Sequence, residues 1–183
     1  MYEENKSVSR VEDEHLSCEN VTHSLYGWKD VSEAGRAMPI MSISGLRGVV
    51  GRDLTVKKFM ETAKAFALLI NRGRCAIGRD TRSTSDTASQ AVITGLIGQG
   101  CKVYDLGVVS TPAVFREVAQ RSLDGGLSIT ASHNPPEWNG LKFILKGGRG
   151  IFEEEVNQLK GKKCDEEAED RFTLGEYIIQ GGY

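Results

Sequence analysis

Gly126-Leu127-Ser128-Ile129-Thr130-Ala131-Ser132-His133-Asn134-Pro135-Pro136-Glu137-Trp138-Asn139-Gly140-Leu141-Lys142-Phe143-Ile144-Leu145 reads as two apolar, β-prone runs joined by a stiff polar loop. The first run spans residues 126–130 and the second residues 141–145. Tandem prolines fix φ and donate no N–H, so the loop after Ser132 is rigid. The connection is too short for a helical crossover, so the second strand returns antiparallel to the first. Ser132 therefore stands on a rigid loop just past the end of a strand.

Upstream, helical and strand patterns alternate. Val56, Phe59, Met60, Ala63, Phe66, Ala67 and Ile70 share one helical face, with Thr55 as the expected N-cap and Gly73 as the stop. Arg74 to Ile77 reads as a short buried strand running into Gly78-Arg79-Asp80. A second helix starts near Ser85, passes through Ala88, Ala91, Val92, Gly95 and Leu96, and is closed by Gly98 and Gly100. Lys102 to Leu106 is the next strand, and Thr111-Pro112 opens a third helix with Phe115, Val118 and Ala119 facing inward. A last helix follows Ile151-Phe152, with Glu153 to Glu155 in its first turn and Val156 and Leu159 on its core side. Such alternation predicts an α/β protein, a three-layer α/β/α architecture around a mixed, mainly parallel sheet. Ligands of open α/β sheets sit at the carboxyl ends of the strands, so Arg79-Asp80 and Ser132 are expected on one rim. Gly147-Gly148-Arg149-Gly150 lies between no strand and helix N-terminus, and reads as an ordinary turn rather than a phosphate cradle.

The 183 residues suffice for one domain and a small appendage. Residues 1–38 are polar, with isolated apolar positions at no sustained period, and are expected to be a disordered or loosely docked extension. Residues 39–163 form the expected domain and residues 164–183 a linker, its charged start a solvated run. With 23 Lys and Arg against 25 Asp and Glu, nothing points to nucleic acid or an acidic membrane as partner. Cys18, Cys75, Cys101 and Cys164 form no paired motif, which suits a reducing compartment; Cys75 and Cys101 open apolar runs and read as small core hydrophobes. His15, Cys18 and His23 fit no closed four-ligand metal site. No apolar run is long enough to span a membrane or serve as a signal segment, so a soluble cytoplasmic protein is expected.

The local chemistry at Ser132 favours an anionic group, since His133 and Lys142 lie close in sequence and both deliver charge or protons near neutral pH. A hydrolase nucleophile fits poorly. Its usual Gly-x-Ser-x-Gly elbow is absent, and a histidine adjacent in sequence generally points away from its neighbour. A simple Ser/Asn/Pro turn without chemistry remains the alternative on the residues alone.

Thr130 to Phe143 resembles the serine loop of the phosphohexomutase superfamily (phosphoglucomutases, phosphomannomutases and phosphoglucosamine mutases), whose pattern runs T-A-S-H-N-P-x-x-x-N-G-x-K-F. Ile43-Ser44-Gly45-Leu46-Arg47-Gly48 is similar to the family's S-G-I-R-G, and Gly78-Arg79-Asp80-Thr81-Arg82 to its G-R-D-x-R, all in family order. Trp138-Asn139 and Ser42-Ile43-Ser44-Gly45 look closest to the phosphoglucosamine mutase branch. The resemblance implies that Ser132 is a phosphoserine carrying a phosphoryl group between the 1- and 6-oxygens of a hexose phosphate through a bisphosphorylated intermediate. It implies Mg²⁺ as cofactor, with a phosphoserine oxygen as ligand. Arg47 matches the arginine near the phosphoserine, Lys142 a lysine that assists proton transfer or stabilises charge, and His133 a proton relay. Arg79, Asp80, Arg82 and Asn134 are expected to support the loop rather than act on substrate.

The chain also departs from the pattern. Met41-Ser42-Ile43 stands where the family often has Phe-Gly-Thr, and the loops D-G-D-x-D-R, G-E-M-S-G-H and R-x-S-G-T-E-P have no counterpart. Only the first of four family domains is therefore matched, and the isolated chain is expected to be inactive and to expose an apolar face. The alternative is a stand-alone phosphosugar-binding or interaction module that keeps the fold without catalysis. Glucosamine, glucose and mannose phosphates all remain open as substrates.

Overall fold

The computed structural model describes residues 39–161 and 175–180. It contains β1 (Ile40–Ser42), β2 (Gly45–Val49), α1 (Val56–Leu69), β3 (Arg74–Arg79), α2 (Ser85–Ile97), β4 (Lys102–Val108), α3 (Thr111–Gln120), β5 (Gly125–Ile129), β6 (Trp138–Leu145), β7 (Arg149–Gly150), α4 (Glu153–Gly161) and β8 (Tyr177–Ile179). The expectations for residues 1–38 and 164–174 lie outside the described residues.

All eight strands join one sheet in the order β1-β2-β6-β5-β3-β4-β8, with β7 pairing with β6. The neighbours β5, β3, β4 and β8 are parallel, whereas β6 runs antiparallel to β5 and β2 antiparallel to β6. This is the mixed, mainly parallel sheet read from the alternation, with the short serine loop supplying the reversal.

Successive strand residues serve opposite faces. Cys75 and Ile77 of β3, and Phe143 and Leu145 of β6, pack with α1, α2 and α4, among Phe59, Phe66, Val92, Leu96 and Val156. Ala76 and Ile144, their neighbours in sequence, pack on the other side with Val114 and Val118 of α3. The layers are thus α/β/α. Phe66 of α1 meets Phe143 of β6 between helix and sheet with ring centroids 5.7 Å apart, and truncating either ring would cost roughly 3–5 kcal/mol. Cys75 and Cys101 are free and buried, and burial raises both thiols, Cys101 to about 12.

Several local expectations need adjustment. Thr55 caps α1, accepting from the Lys58 N–H at 3.1 Å, but Gly73 is not the residue that ends the helix. The left-handed backbone there is taken by Asn71 and Arg72, at φ 54° and 55°. Gly73 is small for a different reason: a Cβ would stand 2.5 Å from the Asp124 carboxylate, which accepts from the Arg74 N–H. In α3, Val114 and Val118 are buried, Phe115 is half-buried and Ala119 is exposed. β6 begins three residues before the expected Leu141, because Gly48 and Val49 of β2 pair with Asn139 and Trp138. The segment read as a linker contains β8, which pairs with β4 and covers an edge that would otherwise be open.

No described helix is long and apolar enough to cross a membrane. Among the described residues the exposed large apolar side chains are Ile40 and Ile43 at one edge of the sheet, Val108, Tyr177 and Ile179 at the other, and Phe152 ahead of α4.

Candidate functional site

The rim where β3 and β5 end carries the serine loop. Arg79 and Ile129 are in register, and the Asp80 N–H donates to the Ile129 carbonyl at 3.0 Å. Asp80 and Ser132 therefore leave adjacent parallel strands side by side, on the expected rim.

Ser132 has φ +58°, a left-handed conformation that non-glycine residues seldom adopt. Its N–H donates to Thr130 Oγ1 at 2.9 Å, and its carbonyl accepts from Arg82 Nη2 at 3.0 Å. Both main-chain groups are thus tied down while the residue itself stays exposed.

Arg82 is the clamp. Besides the Ser132 carbonyl, its guanidinium donates to the carbonyls of Asn134 (2.7 Å), Pro135 (2.6 Å) and Trp138 (3.1 Å). Its Nε donates to Asp80 Oδ2 at 3.1 Å. Only an arginine fork reaches so many acceptors in fixed directions. Asn134 supports the loop with its main chain: its carbonyl serves Arg82 and its N–H donates to Ala131 O at 3.2 Å.

Asp80 is the second anchor. It accepts from the Arg82 N–H at 3.1 Å, from the Arg82 side chain and from Ser85 Oγ. Burial works against its charge, but the bonds from Ser85, Thr130 and Arg82 outweigh it and hold the carboxyl below its ordinary value. Behind it lies Asn139, fully buried, whose Nδ2 donates to Thr84 Oγ1 (2.9 Å) and Ser85 Oγ (3.0 Å) and whose Oδ1 accepts from the Gly140 N–H (2.8 Å).

Arg47 reaches the same loop from β2, its Nη1 donating to the Thr130 carbonyl. Its path crosses Gly140, where a Cβ would strike Leu46 O at 2.0 Å and meet Arg47 Cδ at 3.1 Å. Burial, then the like charge of Arg82, lowers the Arg47 pKa, with Asp80 opposing; the guanidinium stays cationic at neutral pH.

Lys142 is in register with Ser128 and lines a groove of about 430 Å³ together with Thr111, Pro112, Phe115, Thr130 and Ser132. A second groove, of about 600 Å³, is walled by Asp80, Thr81, Arg82, Ser83, Asn134 and Pro136, again with Thr130 and Ser132. Both volumes lie within the range of roughly 300–1,000 Å³ usual for ligand sites. The serine stands on the ridge between them.

Two of the expected site residues are placed apart from this arrangement. Arg79 pairs with Asp86 at the start of α2, Nη2 to Oδ1 2.9 Å, and so braces a helix rather than the serine loop. His133 is exposed in the turn, and no hydrogen bond among the described residues joins it to Ser132. Thr130, Ser85, Asn139, Thr111 and Phe115 belong to the site and were missed by sequence reasoning. For Thr130 a signal existed, since a threonine two residues before a loop residue commonly bonds its N–H. Thr111 opens α3 as expected, with Ser110 in the cap position, and its Oγ1 lies 2.9 Å from Ser128 Oγ.

Among the described residues no group of three or more His, Cys, Asp or Glu converges as a metal site. The carboxylate nearest Ser132 in the network, Asp80, has both oxygens engaged by hydrogen-bond donors.

Residues 39–169 match the family model described as phosphoglucomutase/phosphomannomutase, alpha/beta/alpha domain I. A Methanopyrus kandleri protein named "Probable phosphoglucosamine mutase" is 44% identical over 117 residues, which are 64% of this chain and 26% of the relative. A Thermococcus kodakarensis protein named "Phosphoglucomutase/phosphomannomutase" is 39% identical over 115 residues, 60% of this chain and 25% of the relative. A crystal structure from Thermus thermophilus, assigned to the phosphomannomutases, superposes with TM-score 0.65 at 30% identity, covering 79% of this chain and 33% of that one. The chain spans about a quarter of the length of the curated relatives it matches.

Proposed function

Because the chain belongs to the phosphoglucomutase/phosphomannomutase family, whose alpha/beta/alpha domain I it carries, we propose that it is the phosphoserine-bearing part of a phosphohexomutase. The observation that carries this reading is the geometry of Ser132, an exposed hydroxyl on a main chain locked from both sides, with Lys142 in the adjoining groove. Cationic Arg82 and Arg47 bind its loop. The substrate class is a hexose 1- or 6-phosphate, with glucosamine favoured by the names of most of the similar relatives.

In the proposed reaction the Oγ–P bond of phosphorylated Ser132 breaks as the free hydroxyl of a hexose phosphate forms a new O–P bond. The hydroxyl proton leaves to a base, for which His133 is the candidate, the Ser132 oxygen takes up a proton as its bond to phosphorus breaks, and both transfers reverse on the return step. The bisphosphorylated sugar then turns round, and its other phosphoryl group returns to Ser132, which releases the isomeric monophosphate. A doubly charged phosphoserine requires neighbouring cations. Arg47 and Lys142 supply this from β2 and β6.

Mg²⁺ would neutralise the phosphoryl oxygens, but the described residues do not by themselves fit a Mg²⁺ site, since such an ion usually takes one or two carboxylates besides phosphate. Among the described residues only the Ser132 phosphate would be contributed. The remaining ligands would come from parts of the relatives that it does not cover.

The test is a chimera in which residues 39–161 replace the corresponding domain of the Methanopyrus kandleri relative. Conversion of a hexose 1-phosphate is expected, with phosphate on Ser132 and loss of turnover on Ser132→Ala. Full activity of the Ser132→Ala chimera, or phosphate on another residue, overturns the reading. The 183-residue chain alone is expected to show no turnover.

A further inference from the structure

Thr130 is buried, and its Oγ1 accepts from the Ser132 N–H at 2.9 Å. A backbone N–H can only donate, so the direction of that bond is fixed. Asp80 lines the same groove, and the Thr130 hydroxyl helps to hold its carboxyl below the ordinary value. Ser85 and Arg82 donate to the same carboxylate, and the Asn139 amide donates to Ser85, which fixes the carboxylate in turn.

The bond lands where the backbone most needs it. Ser132 at φ +58° is sparsely populated for a serine, and an N–H left without a partner would let the residue relax toward an extended or helical conformation. Either relaxation swings Cβ, and with it Oγ, away from the ridge between the two grooves. Arg82 restrains the carbonyl side of Ser132, but its bonds are spread over the carbonyls of Ser132, Asn134, Pro135 and Trp138 and do not reach the N–H.

We infer that Thr130 is a positioning residue for Ser132: its hydroxyl oxygen, accepting the Ser132 N–H, holds the serine in the left-handed conformation that sets where Oγ stands. The inference rests on the phosphoserine reading only for its consequence, the phosphorylation of that oxygen.

The test uses the 183-residue chain, as wild type and with Thr130→Val, which keeps the shape without the hydroxyl, and Thr130→Ser, which keeps the hydroxyl. Two NMR readouts, amide hydrogen exchange at Ser132 and the coupling that reports its φ, are followed beside the mass gained at Ser132 on incubation with glucose 1,6-bisphosphate. Thr130→Val is expected to lose about tenfold in Ser132 amide protection, the worth of one hydrogen bond, and to shift the coupling away from positive φ. The rate of phosphate uptake should fall in step, and Thr130→Ser should restore all three. Wild-type protection and coupling in Thr130→Val overturn the inference. So does an equal loss in Thr130→Ser, which would assign the effect to the methyl group. Should Thr130→Val not fold, Thr130→Ala is read in its place, and an unprotected Ser132 amide in the wild type alone refutes the inference. If the wild-type chain takes up no phosphate while its amide behaves as expected, the positioning role stands, and the phosphoserine reading is decided by the chimera alone.

Discussion

Arg82 Nη2 lies 3.0 Å from the main-chain oxygen of Ser132, a residue fifty positions further along the chain. The two meet because β3 and β5 are parallel neighbours, so the loops that follow them emerge together. The contact makes the serine loop a tertiary feature, and perturbing Arg82 should disorder a segment remote from it in sequence.

Arg82→Lys keeps the charge but loses the fork. An ammonium has one nitrogen, which cannot serve four separate carbonyls and the Asp80 carboxylate. A destabilisation of about 2 kcal/mol is expected in urea unfolding, with increased amide exchange across residues 132–138 and unchanged exchange in α1.

Asn139→Leu approximates the volume but strips the buried network of its centre. The Gly140 N–H loses its acceptor, buried Ser85 loses a donor away from solvent, and half-buried Thr84 loses one as well. The expected loss of stability is about 2–4 kcal/mol, measured by denaturation; a change below about 0.5 kcal/mol would remove Asn139 from the support of the loop.

Asp80 has a folded-state pKa below its ordinary 3.8, so its ionised form is favoured by the fold. Its contribution is complete above about pH 4 and is lost as pH falls through the depressed value. Asp53 and Glu155 are lowered as well and act in the same acid window. Asp80→Asn should therefore flatten only part of the fall in stability below about pH 4, while its own penalty is greatest near neutrality. An unchanged acid limb in that variant would count against the network.

Ser132→Gly should be more stable than Ser132→Ala by about 1 kcal/mol, since glycine alone accepts φ +58° without steric penalty. Both lack the hydroxyl, so the comparison isolates the backbone. Equal stabilities would mean that the left-handed conformation is not held in solution.

Much of this architecture was legible because its signals are local. The face of α1, the cap at Thr55 and the two runs flanking Ser132 each declare themselves within a dozen or so residues, and the shortness of the serine loop was enough to require a mixed sheet. What escaped depends on partners far away in the chain. Asn139 before Gly140 looks like turn chemistry, yet its amide is buried against Ser85, 54 residues away. β8 is three residues long after a charged run, and only the open edge of β4 makes it a strand. Arg79 and Arg82 lie in one motif and looked like one brace, but they sit on either side of the strand end, so one meets Asp86 and the other the loop. At Ser132 the identity of the residue was readable and its backbone conformation was not.

The main chain of Ser132 is held at its N–H by Thr130 and at its carbonyl by Arg82, in a loop further stiffened by Pro135 and Pro136. The conformational entropy of this loop is therefore surrendered once, when the domain folds, rather than at every encounter with a ligand. On the proposed function, a carrier so restrained would not follow a reacting group across a cleft. Reorientation would then fall to the sugar, which the surroundings would have to grip loosely enough to let it turn.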